Sequence, residues 1–240
     1  MKAKLLAVLV TSLVSMSSMA VTFDYRHEMK DTVNANHADR LLISNRFDNG
    51  FGLSIEGKWK QHKNDTTPNK PFNEPVSSGT EVTASYLYKF DKTFGVEAGL
   101  NFVTDQDTTK YRPYIKGTAN ITDSLYYGLR YRPFYQRNSG NIGQAGKNTD
   151  MSGYTITSTL GYKLPANFTV EYKFEYNKNT KAGSVGYIAD KENDNITHDV
   201  KLSYKIDKNW TPYVQVGNVE GSTVTDERQT RYRVGVQYNF

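Results

Sequence analysis

The sequence contains no cysteine, and its mean hydropathy is low, at −0.67. Without disulfides, the chain does not fit the class of small secreted domains that are held together by cystine bridges. Beyond residue 20 there is no apolar run of about 18 residues, so the sequence predicts no transmembrane helix. Low hydropathy does not exclude a membrane protein, because a transmembrane barrel strand exposes only alternate residues to lipid.

The charge balance is also weak. Thirty basic and 25 acidic residues give a formal net charge of +5, which is too small to indicate binding to nucleic acid or to an anionic membrane surface. We therefore expect no nucleic-acid partner. The positions of the charges carry more information than their sum.

The N-terminal segment has the features of an export signal. Lys2 and Lys4 precede an apolar run at residues 5–14, and Ser18-Met19-Ala20 provides small residues on either side of a cleavage site. The run is too short to cross a bilayer as a helix. We expect residues 1–20 to be a cleaved signal peptide and residues 21–240 to form the folded domain. A buried N-terminal helix is the alternative.

Residues 231–240, RYRVGVQYNF, alternate strictly between two kinds of side chain. Because successive side chains of a strand point to opposite faces, this segment predicts a strand with one apolar face and one polar face that carries Arg231 and Arg233. Such a strand fits a membrane barrel, with lipid on one side and a water-filled lumen on the other. It also fits the edge of a soluble sandwich.

The rest of the chain favours the barrel. It divides into twelve alternating runs, joined by connections that are alternately short and long. The short ones contain turn residues and lie at residues 48–50, 91–93, 122–124, 164–167 and 207–209. The long ones are polar and lie near residues 30–38, 61–79, 104–110, 136–152, 178–195 and 219–227. We predict an all-β fold, a 12-stranded antiparallel transmembrane β-barrel with short periplasmic turns and longer extracellular loops.

One face of every run is apolar and rich in the 18 tyrosines and 11 phenylalanines, which recur near the ends of runs as interfacial girdles do. We expect no Lys, Arg, Asp or Glu on this lipid-facing side, because a charge at mid-bilayer costs about 2–4 kcal/mol. Its weak points are the polar residues His27, Asn45, Ser158 and His198.

The opposite face is predicted to line the lumen and is predominantly basic. The basic residues expected to line the pore and bind solute are Arg26, Arg40, Arg46, Lys58, Lys60, Arg112, Lys116, Arg130, Arg132, Lys173, Lys201, Arg231 and Arg233. The acids on this face are Asp24, Glu28, Glu56, Glu81, Glu97, Glu171, Glu175 and Asp199. A low-dielectric wall with this excess of positive charge concentrates anions and selects for them. Since the bases outnumber the acids, some must remain unpaired.

Two other classes of function remain open. His37 and Asp39 could begin a hydrolytic site of an outer-membrane enzyme, although no second acid pair or nucleophile accompanies them in the sequence. A structural barrel with a blocked pore is the other possibility. Inward Tyr114, Tyr126 and Tyr213 could stack on sugar rings or simply fill the barrel wall. We expect no catalytic residues, no metal site and no cofactor.

Several segments resemble the family of oligogalacturonate-specific porins (KdgM). They are residues 21–28, 40–44, 67–74, 111–114, 131–133, 137–143 and 225–238. The resemblance covers essentially the whole chain after residue 20, and residues 225–238 are its most specific part.

The resemblance implies a monomeric twelve-stranded barrel of the bacterial outer membrane, with basic tracks along a narrow pore. It implies passage of acidic oligosaccharides, namely oligogalacturonates from pectin breakdown or, in a related branch, sialic acid. It also implies that the terminal strand ending at Phe240 is recognised by the barrel-assembly machinery. The basic tracks correspond to the inward Arg and Lys residues as a group.

Overall fold

The computed structural model describes residues 21–31, 36–62, 70–181 and 188–240. The predicted signal peptide, residues 1–20, lies outside these ranges, as do residues 67–69 of the segment 67–74.

Twelve strands account for most of the described chain. Each contains between 10 and 15 residues, which is enough for a tilted strand to cross a bilayer, since this takes about 9–11 residues. The strands are β1 (Val21–Lys30), β2 (His37–Arg46), β3 (Phe51–Gln61), β4 (Pro75–Lys89), β5 (Phe94–Thr104), β6 (Thr108–Asn120), β7 (Leu125–Asn138), β8 (Asp150–Lys163), β9 (Phe168–Lys181), β10 (Asp194–Tyr204), β11 (Trp210–Glu220) and β12 (Arg228–Asn239).

The strands form one closed antiparallel barrel in which each strand pairs with its sequence neighbours. The final strand closes the sheet against the first, from Thr22 opposite Asn239 to Lys30 opposite Arg231. Phe240 adds a backbone hydrogen bond to the carbonyl of Val21 at 3.0 Å. The predicted twelve-stranded barrel is therefore confirmed. None of the helical segments in the described ranges is long and apolar enough to span a membrane.

Side-chain oxygens stabilise several of the short turns. In the β10–β11 turn, the carboxylate of Asp207 accepts hydrogen bonds from the backbone N–H groups of Trp210 and Asn209, at 2.7 and 2.8 Å. These two bonds lower the pKa of Asp207 below its ordinary value. Asp91 makes the same contacts with Thr93 and Phe94 in the β4–β5 turn.

One connection at the opposite end of the barrel is shorter than predicted. The loop expected near residues 104–110 is only residues 105–107, because β5 and β6 extend to Thr104 and from Thr108. The carboxylate of Asp105 accepts from the N–H groups of Asp107 and Thr108 at 2.9 and 2.7 Å. The polar sequence that suggested a loop instead forms a tight turn.

The two faces of the barrel differ as the alternation predicts. The large apolar side chains point outward and remain exposed; Val214, for example, is 53% exposed. In the described ranges, the buried hydrophobic residues are Val21, Tyr213 and Val219, whereas the buried polar ones include Asp24 and Asp199. A soluble sandwich would reverse this arrangement, since it buries its apolar faces against each other.

The prediction that the outward face carries no charge is wrong at its rim. Asp39 lies on this face, opposite His27 and near the end of β2 away from the short turns. It accepts hydrogen bonds from the Tyr25 hydroxyl at 2.6 Å and pairs with His27 Nδ1 at 2.8 Å. These partners compensate the carboxylate for lost hydration.

Tyrosine hydroxyls also satisfy two of the predicted polar weak points on the outward face. Ser158 donates to the hydroxyl of Tyr127 at 3.1 Å, and the hydroxyl of Tyr172 lies 2.6 Å from Nδ1 of His198. Outward tyrosines therefore compensate for isolated polar residues in the apolar surface.

Candidate anion pathway

All eight inward acids are engaged with inward bases. Asp24 and Glu56 both contact Arg40, at 3.1 and 3.3 Å, and Glu28 accepts from Nε of Arg233 at 2.6 Å. The remaining pairs are Arg46 with Glu97, Lys58 and Arg112 with Glu81, Lys201 with Glu171, and Lys173 with Glu175 and Asp199. Each of these acids therefore takes part in an ion pair within the barrel wall.

Asp199 is the most deeply buried of these acids, at 2% side-chain exposure. Both of its oxygens accept from Nη2 of Arg231, at 2.8 and 2.9 Å. Lys173 Nζ lies 3.2 Å away and Arg233 Nη1 3.9 Å away. One carboxylate on β10 therefore holds together three cations, which lie on β9 and β12.

Glycine provides the space for this cluster. Gly217 is the cross-strand partner of Asp199, and a Cβ atom there would lie 2.2 Å from the carboxylate oxygen Oδ1. Any side chain at position 217 would displace Asp199 from its cationic partners.

The three inward tyrosines fill the wall in the same manner. Tyr213 faces Gly235 across β11 and β12 and donates to Asp24 at 2.8 Å. Tyr126 faces Gly161 and donates to Glu171 at 2.9 Å. Tyr114 faces Gly99 and donates to Glu97. Each ring lies where a Cβ of the opposing glycine would be, so wall filling and acid binding account for these tyrosines.

The thirteen basic residues predicted for the site separate into two groups. Nine have a carboxylate within 4.0 Å: Arg26, Arg40, Arg46, Lys58, Arg112, Lys173, Lys201, Arg231 and Arg233. In the part of the chain that the structure describes, four have none: Lys60, Lys116, Arg130 and Arg132. Sequence reasoning could not make this division, because the pairs join distant segments; Arg233 and Glu28 are 205 positions apart.

Three of the four unpaired bases lie on neighbouring strands. Lys116 of β6 is the cross-strand partner of Arg130 on β7, and Arg132 is the next inward residue of β7. Arg130 donates to the hydroxyl of Thr157 at 3.1 Å. The Nε atoms of Arg130 and Arg132 are buried and have no hydrogen-bond partner among the described residues. These groups retain the capacity to donate to a solute or to water.

Two further bases extend this group towards the longer connections. Arg112 of β6 interacts electrostatically with Arg132 and Arg130, and Lys110 interacts with Arg112 and Arg132. The β6–β7 strip therefore comprises Lys110, Arg112, Lys116, Arg130 and Arg132. Within the described ranges, only one carboxylate, Glu81 at 2.7 Å from Arg112, lies within 4.0 Å of any of them.

Lys110 is absent from the predicted site because its position was assigned to a loop. The strand β6 begins at Thr108, so Lys110 is inside it and has the same inward parity as Arg112. Its Nζ lies 4.6 Å from the centre of the Phe134 ring, which is within the range of a cation–π contact. The parity of residues 110 and 112 is the signal that could have identified it.

The strip coincides with a break in the backbone pairing. The regular register between β6 and β7 runs from Thr108 to Tyr111 and resumes at Ile115. Pro113 and Pro133 lie in the interrupted segments, and neither can donate a backbone hydrogen bond. The repeated Tyr-Arg-Pro sequence thus places each arginine directly beside a proline.

On the opposite side of the barrel, β12, β1 and β2 present a wall in which Arg26, Arg40, Arg231 and Arg233 each have a carboxylate within 4.0 Å. Arg26 and Arg40 are cross-strand partners and are balanced by Asp24, Glu28 and Glu56. Arg40 and Arg26 line a cavity of about 260 Å³ with residues of β8–β12. Because β6 and β7 are farthest from β12 and β1 in the strand order, the interior has one paired side and one largely unpaired side.

Two of the four histidines, His27 and His37, form a separate cluster on the outward rim. His27 Nε2 lies 3.0 Å from His37 Nδ1, and His27 Nδ1 is paired with Asp39. The structure therefore brings His37 and Asp39 together, as an enzymatic site would require, but on the lipid-facing side. The described contacts of these three residues include no serine, threonine or cysteine that could act as a nucleophile. No group of metal-binding side chains was found within the described ranges.

A family model described as "Oligogalacturonate-specific porin protein (KdgM)" matches residues 14–240. The chain belongs to the KdgM porin family. It is 57% identical to the oligogalacturonate-specific porin KdgM of Dickeya dadantii (strain 3937), over 240 residues and the full length of both chains.

Two further comparisons are consistent with this assignment. A solved structure of a KdgM porin in complex with disordered oligogalacturonate superimposes with a TM-score of 0.68 at 45% identity, covering 91% of this chain and 99% of the other. The N-acetylneuraminic acid outer membrane channel protein NanC of Escherichia coli (strain K12) is 25% identical, over 93% of this chain and 92% of its own. These KdgM and NanC relatives are named as porins or channels rather than enzymes.

Proposed function

We propose that this protein is a passive, anion-selective porin for acidic oligosaccharides, that oligogalacturonates are its solute, and that transport involves no catalytic step. The observation that carries the proposal is the β6–β7 strip, where, within the described ranges, only one carboxylate lies within 4.0 Å of any of the five bases. In a narrow pore with low-dielectric walls, such an excess of positive charge raises the local concentration of anions. The paired wall opposite adds little net charge.

The strip suits a solute that carries regularly spaced carboxylates. The guanidinium groups of Arg112, Arg130 and Arg132 can bind a carboxylate through two parallel hydrogen bonds, whereas Lys110 and Lys116 act as point charges. A row of such sites lets a polyanion exchange one contact for the next without being trapped at any one of them. We propose that these residues contact the solute. The other predicted bases, apart from the unpaired Lys60, line the pore within ion pairs.

The choice of solute rests on the relatives. The 57% identical relative is named as oligogalacturonate-specific, and the 25% identical one is named for N-acetylneuraminic acid. The closer relationship supports oligogalacturonate as the solute, with sialic acid as the alternative.

The same proposal covers the cellular context. Residues 1–20 serve as a cleaved signal peptide. The folded protein is a monomer, and its exposed apolar face contacts outer-membrane lipid. The barrel-assembly machinery recognises the C-terminal strand. The ring of Phe240, which lies 4.8 Å from Tyr238 and 5.4 Å from Phe23, supports a role for this strand in closing the barrel.

Planar-bilayer recordings test the proposed function. In a potassium chloride gradient, the reversal potential should indicate a preference for chloride. Trigalacturonate should block the current more strongly than equimolar sialic acid, and neutral maltotriose should have little effect. Cation selectivity, or equal block by maltotriose and trigalacturonate, would contradict the proposal. Stronger block by sialic acid would mean that sialic acid, rather than oligogalacturonate, is the solute.

A further inference from the structure

A polar cavity of about 570 Å³ lies at the end of β6 and β7 opposite the short turns. This volume is within the range of about 300–1,000 Å³ that is usual for small-molecule sites. The cavity is bounded by the β5–β6 turn and by residues 140–148, which connect β7 to β8. Its lining includes Asp107, Gln136, Asn138, Asn141, Gln144 and Lys147.

The connection around the cavity is held by its own hydrogen bonds. The backbone N–H of Asn138 donates to the Thr149 carbonyl at 2.8 Å, and that of Gly140 donates to the Asp107 carbonyl at 3.2 Å. The side-chain amide of Asn141 donates to the Asn148 carbonyl at 2.7 Å. The connection is therefore tied both to itself and to the neighbouring turn.

Three amide groups in the lining each donate one hydrogen bond within the protein through nitrogen. Gln136 donates to Asn138 Oδ1 at 2.7 Å, and Gln144 donates to the Gly140 carbonyl at 2.6 Å. In the described ranges, the amide oxygens of Gln136, Asn141 and Gln144 accept no hydrogen bond from the protein. A cavity rich in acceptors is complementary to a ligand with several donors, such as the hydroxyl groups of a sugar ring.

The charges in the lining also favour hydroxyl groups over carboxylates. The carboxylate of Asp107 offsets the one base in the lining, Lys147, so the cavity does not attract a polyanion by charge alone. The first base that attracts anions lies beside the cavity. Gln136 is the cross-strand partner of Lys110, the first base of the β6–β7 strip.

We propose that this cavity is a capture site that binds one ring of the oligosaccharide through its hydroxyl groups, while the carboxylates of the following rings engage the β6–β7 strip. The proposal rests on the proposed function, since it concerns how the same solute enters. The capture site adds a sugar-specific contact to an otherwise electrostatic pathway. The capture site should therefore raise the association rate of oligosaccharide that is added on the cavity side of the membrane.

The test compares the wild-type channel with N141A/Q144A, which removes two of the free acceptors. Trigalacturonate is added to either side of a planar bilayer that contains channels of known orientation, and the association rate of current block is measured. From the side of the cavity, the rate should fall at least fivefold. From the side of the short turns, the rate and the chloride selectivity should be unchanged.

Two controls keep the result interpretable. Tricarballylate carries three carboxylates and no hydroxyl group, so its association rate should be the same in wild type and variant; a collapsed entrance would slow both solutes. The single variant Q144E loses the donor to Gly140 but keeps acceptor oxygens, and it should retain faster capture of trigalacturonate than N141A/Q144A.

The proposal is overturned if N141A/Q144A captures trigalacturonate from the cavity side at the wild-type rate, or if tricarballylate is slowed equally. It is also overturned if a calcium chelator abolishes the wild-type difference between the two sides, because the acceptors would then hold a cation. If trigalacturonate never blocks the wild-type channel from either side, the proposed function itself fails.

Discussion

At the scale of single residues, the interior depends on where glycine permits a polar group to lie against the wall. Gly217 accommodates the carboxylate of Asp199, which in turn binds Arg231 and Lys173. Gly235 accommodates the ring of Tyr213. Small residues at these inward positions thus determine which charged groups are paired.

The variant G217A tests this dependence. A Cβ at position 217 would lie 2.2 Å from Asp199 Oδ1 and 3.1 Å from the His198 carbonyl oxygen, so the carboxylate must move away from Arg231. We expect a loss of about 2 kcal/mol in the free energy of unfolding, because the disturbed charges lose hydrogen bonds worth about 1.5–3 kcal/mol. Urea titration of the barrel refolded in lipid vesicles measures this loss.

The matched control is G117A. No atom lies within 4 Å of a Cβ at Gly117, so this variant should be as stable as the wild type or slightly more stable, because alanine restricts the unfolded chain. Equal stability of the two variants would show that Asp199 is not confined by Gly217.

Sequence patterns predict the positions and contacts of individual residues only in part. The alternation predicted the faces of Arg231 and Arg233, but it could not show that both approach Asp199 on β10. The prediction of an uncharged outward face overlooked Asp39, which has the same parity as Leu41. What the alternation could not show is the compensation of Asp39 by Tyr25 and His27, because it is a three-dimensional contact. Pairing is a property of register between strands, which the sequence of one strand does not contain.

At the scale of elements, the turns carry local sequence signals that are strong enough to read directly. Asp91 and Asp207 each accept two backbone hydrogen bonds in a short turn. The same chemistry at Asp105 produced a tight turn where a longer loop was predicted, because a capped turn and a polar loop have similar compositions.

The β10–β11 turn should respond to pH through Asp207. The pKa of Asp207 is lowered by the hydrogen bonds from Trp210 and Asn209. Its contribution to turn stability is therefore complete above the ordinary aspartate pKa of about 3.9, and it is lost as the pH falls through the lower folded value. Amide hydrogen exchange at Asn209 and Trp210 measures this effect.

Two substitutions separate the hydrogen bonds from the charge. D207A should remove protection at both amides throughout the pH range. D207N retains an acceptor oxygen, so it should keep most of the protection without the acid-dependent loss. If amide protection in the wild type has the same pH dependence as in D207N, the carboxylate of Asp207 is not its source.

At the scale of the whole molecule, the strand order separates a paired wall on β12, β1 and β2 from a strip of largely unpaired bases on β6 and β7. The barrel could be predicted from the sequence because twelve runs share one alternation and consistent turn signals. The asymmetry of the interior could not, because it follows from which bases meet acids across the sheet.

The central claim is that the unpaired bases of the β6–β7 strip, rather than the paired ones, hold the solute. The variants R132Q and R231Q remove the same charge from the two sides of the interior. Their effects on block by trigalacturonate are best compared in 1 M potassium chloride, where the Debye length is about 3 Å and long-range attraction is screened.

We expect R132Q to raise the trigalacturonate concentration for half-maximal block about tenfold, equivalent to about 1.4 kcal/mol of binding free energy, and R231Q to change it less than twofold. An equal or larger effect of R231Q would contradict the account, because the paired wall would then hold the solute as strongly as the strip.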